Sequence, residues 1–138
     1  MRNIVLVVTY DGTAYHGWQC QPGLTTLEQV MRKGIERILN HNVKVYAGGR
    51  TDSGVHALGQ VVNFCTEKSI ELEGLKKGLN SLLPDDVRIK DAFEVDPSFH
   101  ARYSAKSKTY VYVIEHVPFH SPFSMRYSWH IPYAIDSK

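Results

Sequence analysis

The chain has 138 residues, 43% apolar and 11% aromatic, enough for one core of ordinary size, so a single globular domain over 1–138 is expected. Its 16 basic and 14 acidic side chains leave a formal net charge of +2, which gives only a faint pull toward polyanions and does not by itself mark a nucleic-acid protein. Cys20 and Cys65 stand far apart and in no CxxC pairing, which argues against a disulfide framework and a zinc site and for reduced thiols in a cytoplasmic protein.

The β-branched run from Asn3 to Tyr10 suits a strand buried on both faces or along one packed face. Its apolar stretch, Ile4 to Val8, is too short for a membrane span or a signal-peptide core, so no membrane partner is expected. Asp11-Gly12 breaks the strand, and a loop to Leu24 carries Tyr15, His16, Trp18, Gln19 and Gln21. Thr25 and Glu28 have capping-box spacing ahead of Leu27, Val30, Met31, Ile35, Ile38 and Leu39, which predicts a helix with one apolar face. Val43 to Ala47 and Gly59 to Cys65 read as strands around a polar, glycine-bounded loop, Gly48 to Leu58. A second amphipathic helix starts at Ser69 or Glu71, turns Leu72, Leu75, Leu79, Leu82 and Leu83 inward, and is stopped by Pro84.

Strands are expected at Val87 to Val95 and Lys108 to Val117, joined by a loop holding Phe99, His100, Arg102, Tyr103 and Lys106, with a short strand at Tyr127 to Pro132. The order βαββαβ plus one strand predicts an α+β fold of ferredoxin-like, split βαβ type: an antiparallel sheet with two helices on one face. The chain stops after Asp136-Ser137-Lys138, where Asp136 and Ser137 are helix-start residues with no helix after them, so a longer parent chain is expected.

The loop Gly48-Gly49-Arg50-Thr51-Asp52-Ser53-Gly54-Val55-His56-Ala57 sets one carboxylate between glycines, beside an arginine and near a histidine. Glycines permit sharp turns and close approach of a substrate. A carboxylate is ionised at neutral pH and can act as a nucleophile without a base to deprotonate it, and Arg50 can hold Asp52 in place. A structural Asx turn is the plainer reading of Asp52 on spacing alone. Arg102, Lys106 and Lys108, interleaved with Phe99, Tyr103 and Tyr110, form a candidate phosphate-contacting patch or a solvated basic face.

The string GRTDSGVHA resembles the catalytic motif of the TruA family of tRNA pseudouridine synthases. The resemblance extends in order through Tyr10 to Gln19, Asn80 to Asp86, Phe99 to Arg102 and Lys108 to Tyr112, with local departures at Ser53, where alanine is usual, and at Leu27-Glu28. It implies the amino-terminal catalytic half of an isomerase that converts uridine to pseudouridine at positions 38, 39 and 40 of tRNA, with Asp52 as nucleophile and Arg50 in support. Tyr110 matches the family's base-stacking tyrosine. No cofactor or metal is implied; tRNA is the expected partner, and the full-length protein is expected to be a homodimer.

Two other readings stand beside this one. An RNA-recognition motif shares the βαββαβ order, but Gln60 to Cys65 lacks the aromatics and basic start that its third strand needs, which leaves a non-catalytic RNA-binding α+β module as the alternative. A metal hydrolase using His16, His56, His100 and Asp52 finds no HxxxH or HxH spacing in support.

Overall fold

The computed structural model describes residues 1–107, 109–111, 114, 115, 119, 121–123 and 125–130. They fall into two compact units, Met1–Lys106 and Ser107–Lys138. In the first unit the elements run β1 (Arg2–Tyr10), α1 (Leu27–Leu39), β2 (Tyr46–Ala47), β3 (Ala57–Thr66), α2 (Leu72–Leu82) and β4 (Val87–Val95). The sheet order is β2-β3-β1-β4 with every neighbouring pair antiparallel, the split βαβ arrangement expected from the sequence. In the second unit β5 (Ile114–Glu115) pairs in parallel with β6 (Trp129–His130). The remaining parts of the two strands expected at Lys108 to Val117 and Tyr127 to Pro132 lie largely outside the described residues.

The period-two alternation of β1 decides where the core sits. Ile4, Leu6, Val8 and Tyr10 face the helices, aligned with Phe64 and Val62 of β3 and with Ile89 and Val87 of β4. Against them α1 lays Leu27, Met31, Ile35 and Leu39, all at most 1% exposed, and α2 lays Leu75 and Leu79. Each such side chain contributes about 1.5–3 kcal/mol by leaving water. One end of the opposite face is closed by a polar chain. Asn63 donates through Nδ2 to Asn3 Oδ1, Asn3 Nδ2 donates to the carbonyls of Asp96 and Phe99, and the Ala101 N–H donates to Asn63 Oδ1.

Three local expectations are corrected. The capping box at Thr25 and Glu28 is not formed: the cap residue is Thr26, whose buried hydroxyl has no hydrogen-bond partner among the described residues, and Glu28 accepts the Cys20 N–H instead. The helix start is served by loop backbone, because the N–H groups of Leu27 and Glu28 donate to the carbonyls of Gly17 and Trp18. The strand expected from Val43 shrinks to Tyr46–Ala47, since the Val43 N–H is drawn to Glu36 Oε2 and not to a neighbouring strand. Leu82 points outward at 41% exposure while Leu83 is buried, because the residue before Pro84 leaves the helical conformation, with ψ at 150°.

Candidate active site

The loop between β2 and β3 is gripped along its backbone by the segment that follows β1. The Trp18 N–H donates to the Thr51 carbonyl at 2.9 Å, the Gly54 N–H donates to the Tyr15 carbonyl at 3.2 Å, and Ser53 Oγ donates to the same carbonyl at 3.3 Å. The Tyr10 and Thr51 hydroxyls share a hydrogen bond of 2.9 Å, and His56 Nδ1 accepts the Gly12 N–H at 2.9 Å while lying 3.2 Å from Asp11 Oδ1. Two glycines make this fit possible. A Cβ on Gly12 would stand 2.0 Å from the Val55 carbonyl oxygen, and one on Gly17, whose φ is +79°, would stand 2.7 Å from that of Thr51.

The gripping segment is itself tied to the start of β4. The Tyr15 hydroxyl donates to Asp86 Oδ1 at 2.6 Å, and the Asp11 N–H donates to the Asp86 carbonyl at 2.9 Å. Burial pushes the Tyr15 hydroxyl pKa up, and the hydrogen bond and negative charge of Asp86 push it further. Burial likewise raises the pKa of Tyr10. Both phenols therefore stay protonated donors through the neutral range.

What the grip leaves bare is the chemistry. Asp52 and Arg50 are exposed and line one recess of about 230 Å³ together with Ser53 and with His16, Gln19 and Gln21 from the gripping segment. Among the described residues neither Arg50 nor Asp52 takes part in an ion pair. The arrangement can present an anionic nucleophile and a planar cation to the same ligand from a fixed backbone.

The other sequence-derived candidates fall elsewhere. His56 accepts the Gly12 N–H beside Asp11 and His100 packs against Tyr46 and Tyr103, so of the four residues of the metal reading only His16 and Asp52 share the recess. Among the described residues no three His, Cys, Asp or Glu side chains converge as metal ligands would. Arg102 lies beside the Tyr103 ring, and Lys106 is exposed. Tyr110 belongs to the second unit and is 63% exposed, and Lys108 lies outside the described residues. Sequence reasoning missed the roles of Tyr10, Tyr15 and Asp86. All three lie in stretches that carry the family resemblance, and the glycines at 12 and 17, whose missing side chains mark where one loop enters another, are a further signal.

Comparison with known proteins follows the same residues. The chain is 48% identical over 136 residues to tRNA pseudouridine synthase A of Thermoanaerobacter sp. (strain X514), covering 99% of this chain and 56% of that protein. It is 49% identical over 136 residues to the protein of the same name from Caldicellulosiruptor saccharolyticus, with the same coverage of each. With that of Geotalea daltonii it shares 47% over 131 residues, 95% of this chain and 54% of the relative. The chain thus spans about half the length of the curated relatives it matches. The family model for tRNA pseudouridine synthase matches residues 6–104, a span that holds the gripped loop, the segment gripping it and the turn after β4, and the chain belongs to that family.

Proposed function

We propose that this chain is the amino-terminal catalytic part of a cytoplasmic enzyme that isomerises uridine to pseudouridine in the anticodon arm of tRNA, at positions 38 to 40, with Asp52 as the nucleophile. The observation that carries the reading is the exposed Asp52 carboxylate, set on an immobilised backbone and sharing its recess with Arg50, inside the span matched by the family model. A nucleophile needs orientation more than activation when it is already an anion, and a loop held by four separate hydrogen bonds, two of them through its backbone, supplies that orientation.

In this reading the target nucleotide leaves its stack and enters the recess, at a cost of a few kcal/mol recovered by contacts there. The Asp52 carboxylate bonds to the nucleoside, the glycosidic bond from N1 breaks, the detached uracil turns, and a bond from its C5 to the sugar replaces the one lost; the bond to Asp52 then breaks, C5 gives up its proton and N1 takes one up. Arg50 neutralises phosphate or the uracil oxygens as charge moves. Tyr110 stacks on the flipped base, a contact worth about 1–3 kcal/mol. Arg102, Lys106 and Lys108 meet the phosphates, and the whole enzyme works as a homodimer.

The test compares the whole enzyme containing this chain with its Asp52→Asn and Asp52→Ala variants on unmodified tRNA. Product formation is expected to fall by about a thousandfold or more in both while tRNA affinity stays within a few-fold. Undiminished product in Asp52→Ala would remove Asp52 as the nucleophile and leave this chain, within an enzyme whose catalytic group lies elsewhere, as at most a non-catalytic RNA-binding module.

A further inference from the structure

Beyond the recess, the first unit carries a second feature built for a planar ligand. Tyr46 on β2, His100 and Tyr103 form a continuous column of rings, with centroids 4.4 Å apart at both steps and interplanar angles of 46° and 36°. The middle ring is fixed in orientation, since His100 Nδ1 accepts the N–H groups of Arg102 and Tyr103 at 3.1 and 3.4 Å. The turn itself is closed by Ser104, which donates its N–H to the His100 carbonyl and accepts the His100 N–H on its hydroxyl.

The column ends in water. Tyr103, the outermost of three mutually tilted rings, is 77% exposed, so most of its apolar surface lies open at the end of this support. Arg102 stands over the Tyr103 ring with its guanidinium carbon 5.7 Å from the centroid, within the roughly 6 Å of a cation–π contact. The position is continuous with the candidate active site. A Cβ on Gly48, the first residue of the gripped loop, would meet the Ala101 carbonyl at 3.4 Å, and Gln60 bridges to Gly49 with hydrogen bonds in both directions.

We infer that Tyr103 is a stacking platform for an unpaired base of the RNA strand whose target nucleotide occupies the Asp52 recess, with Arg102 contacting the phosphate next to that base. The inference rests on the proposed function for the nature of the ligand. A bare aromatic face beside a cation is the pairing that single-stranded nucleic acid requires, since every base offers a π-face and every nucleotide a phosphate. A base stacked there extends the column by one ring and covers the exposed face. Stacking needs the ring and not the hydroxyl, which separates this role from hydrogen bonding.

The experiment measures the affinity of the whole enzyme for an unmodified tRNA transcript, with pseudouridine formation, melting temperature and oligomeric state recorded for each variant. Tyr103→Ala is expected to weaken binding about tenfold and Tyr103→Phe to stay within twofold, with melting and oligomeric state unchanged in both. Equal affinity in Tyr103→Ala, or an equal loss in Tyr103→Phe, overturns the platform. So does a fall in melting temperature or a change of oligomeric state in Tyr103→Ala without loss of affinity, which would mean that protein covers the ring. If the wild-type enzyme forms pseudouridine while any of these holds, only the platform falls; if the wild type neither binds nor modifies tRNA, the proposed function falls with it.

Discussion

The two loops that carry the candidate functional groups are held in opposite ways. The loop from Gly48 to His56 is fixed largely by backbone groups of the segment after β1, which meet its backbone and its Ser53 and His56 side chains, and among the described residues its Arg50 and Asp52 side chains take part in no ion pair. The turn from Asp96 to Ser104 is fixed largely through side chains: Asp96 binds Ser98, His100 caps Arg102 and Tyr103, and Asn63 holds Ala101. The difference follows from the tasks proposed for them. A nucleophile must keep its side chain uncommitted, so only backbone remains to position it, whereas a stacking surface works when its rings support each other.

The largest break in this comparison comes from filling the space between the two interlocked loops. Gly12→Ala and Gly17→Ala each drive a methyl group into a backbone carbonyl, and at Gly17 the left-handed backbone adds about 1–2 kcal/mol of strain. Each is expected to remove at least about 2–4 kcal/mol of stability and to lower pseudouridine formation more than tRNA binding, as read by melting, product yield and affinity together. A variant that melts as the wild type does would mean that the loops do not interlock. A smaller break is aimed at the other loop. Asn63→Ala leaves the Ala101 N–H and the Asn3 carboxamide oxygen buried and unpartnered, at a cost of about 1–3 kcal/mol, and is expected to weaken tRNA binding through Tyr103. Retained melting temperature in that variant would show that the polar chain does not anchor the turn.

Much of the first unit was legible because its periodicities are clean. The spacing of Leu27, Met31, Ile35 and Leu39 admits one buried face, the apolar run of β1 marks a strand although it leaves open whether one face or two are packed, and βαββαβ order then leaves few ways to assemble a sheet. Asp52 and Arg50 stood out because a motif is local in sequence. The residues that hold the motif are not local: Tyr15 lies 37 positions before Asp52, and Asp86 lies 34 positions after it. No periodicity links them, and only the folded chain shows Tyr15 placing its hydroxyl on one partner and its carbonyl on another. The capping box failed for a related reason. Thr25 and Glu28 have the spacing, but backbone carbonyls from Gly17 and Trp18 reach the helix start first, and a local rule cannot anticipate a distant competitor.

The gentlest test asks whether the Tyr15 hydroxyl matters to the grip apart from its ring. Tyr15→Phe keeps the buried ring and removes one hydrogen bond to Asp86, so a loss of about 1 kcal/mol is expected near pH 8. The pH dependence carries the sharper information. Burial, reinforced by Asp86, raises the pKa of this phenol in the folded chain, so above about pH 10 the folded form keeps a proton that the unfolded form has released. Its stabilising effect is therefore complete below about pH 10 and is lost as pH rises beyond it. Tyr10 shifts in the same direction, so Tyr15→Phe should lessen the alkaline loss of stability without abolishing it. Measured as urea midpoints from pH 8 to 11, the gap between wild type and Tyr15→Phe should close as pH increases. A gap that stays constant across that range would mean that the hydroxyl sheds its proton as easily in the fold as in the open chain. The link from β4 to the gripped loop would then run through the Asp11 backbone and the Tyr15 ring alone.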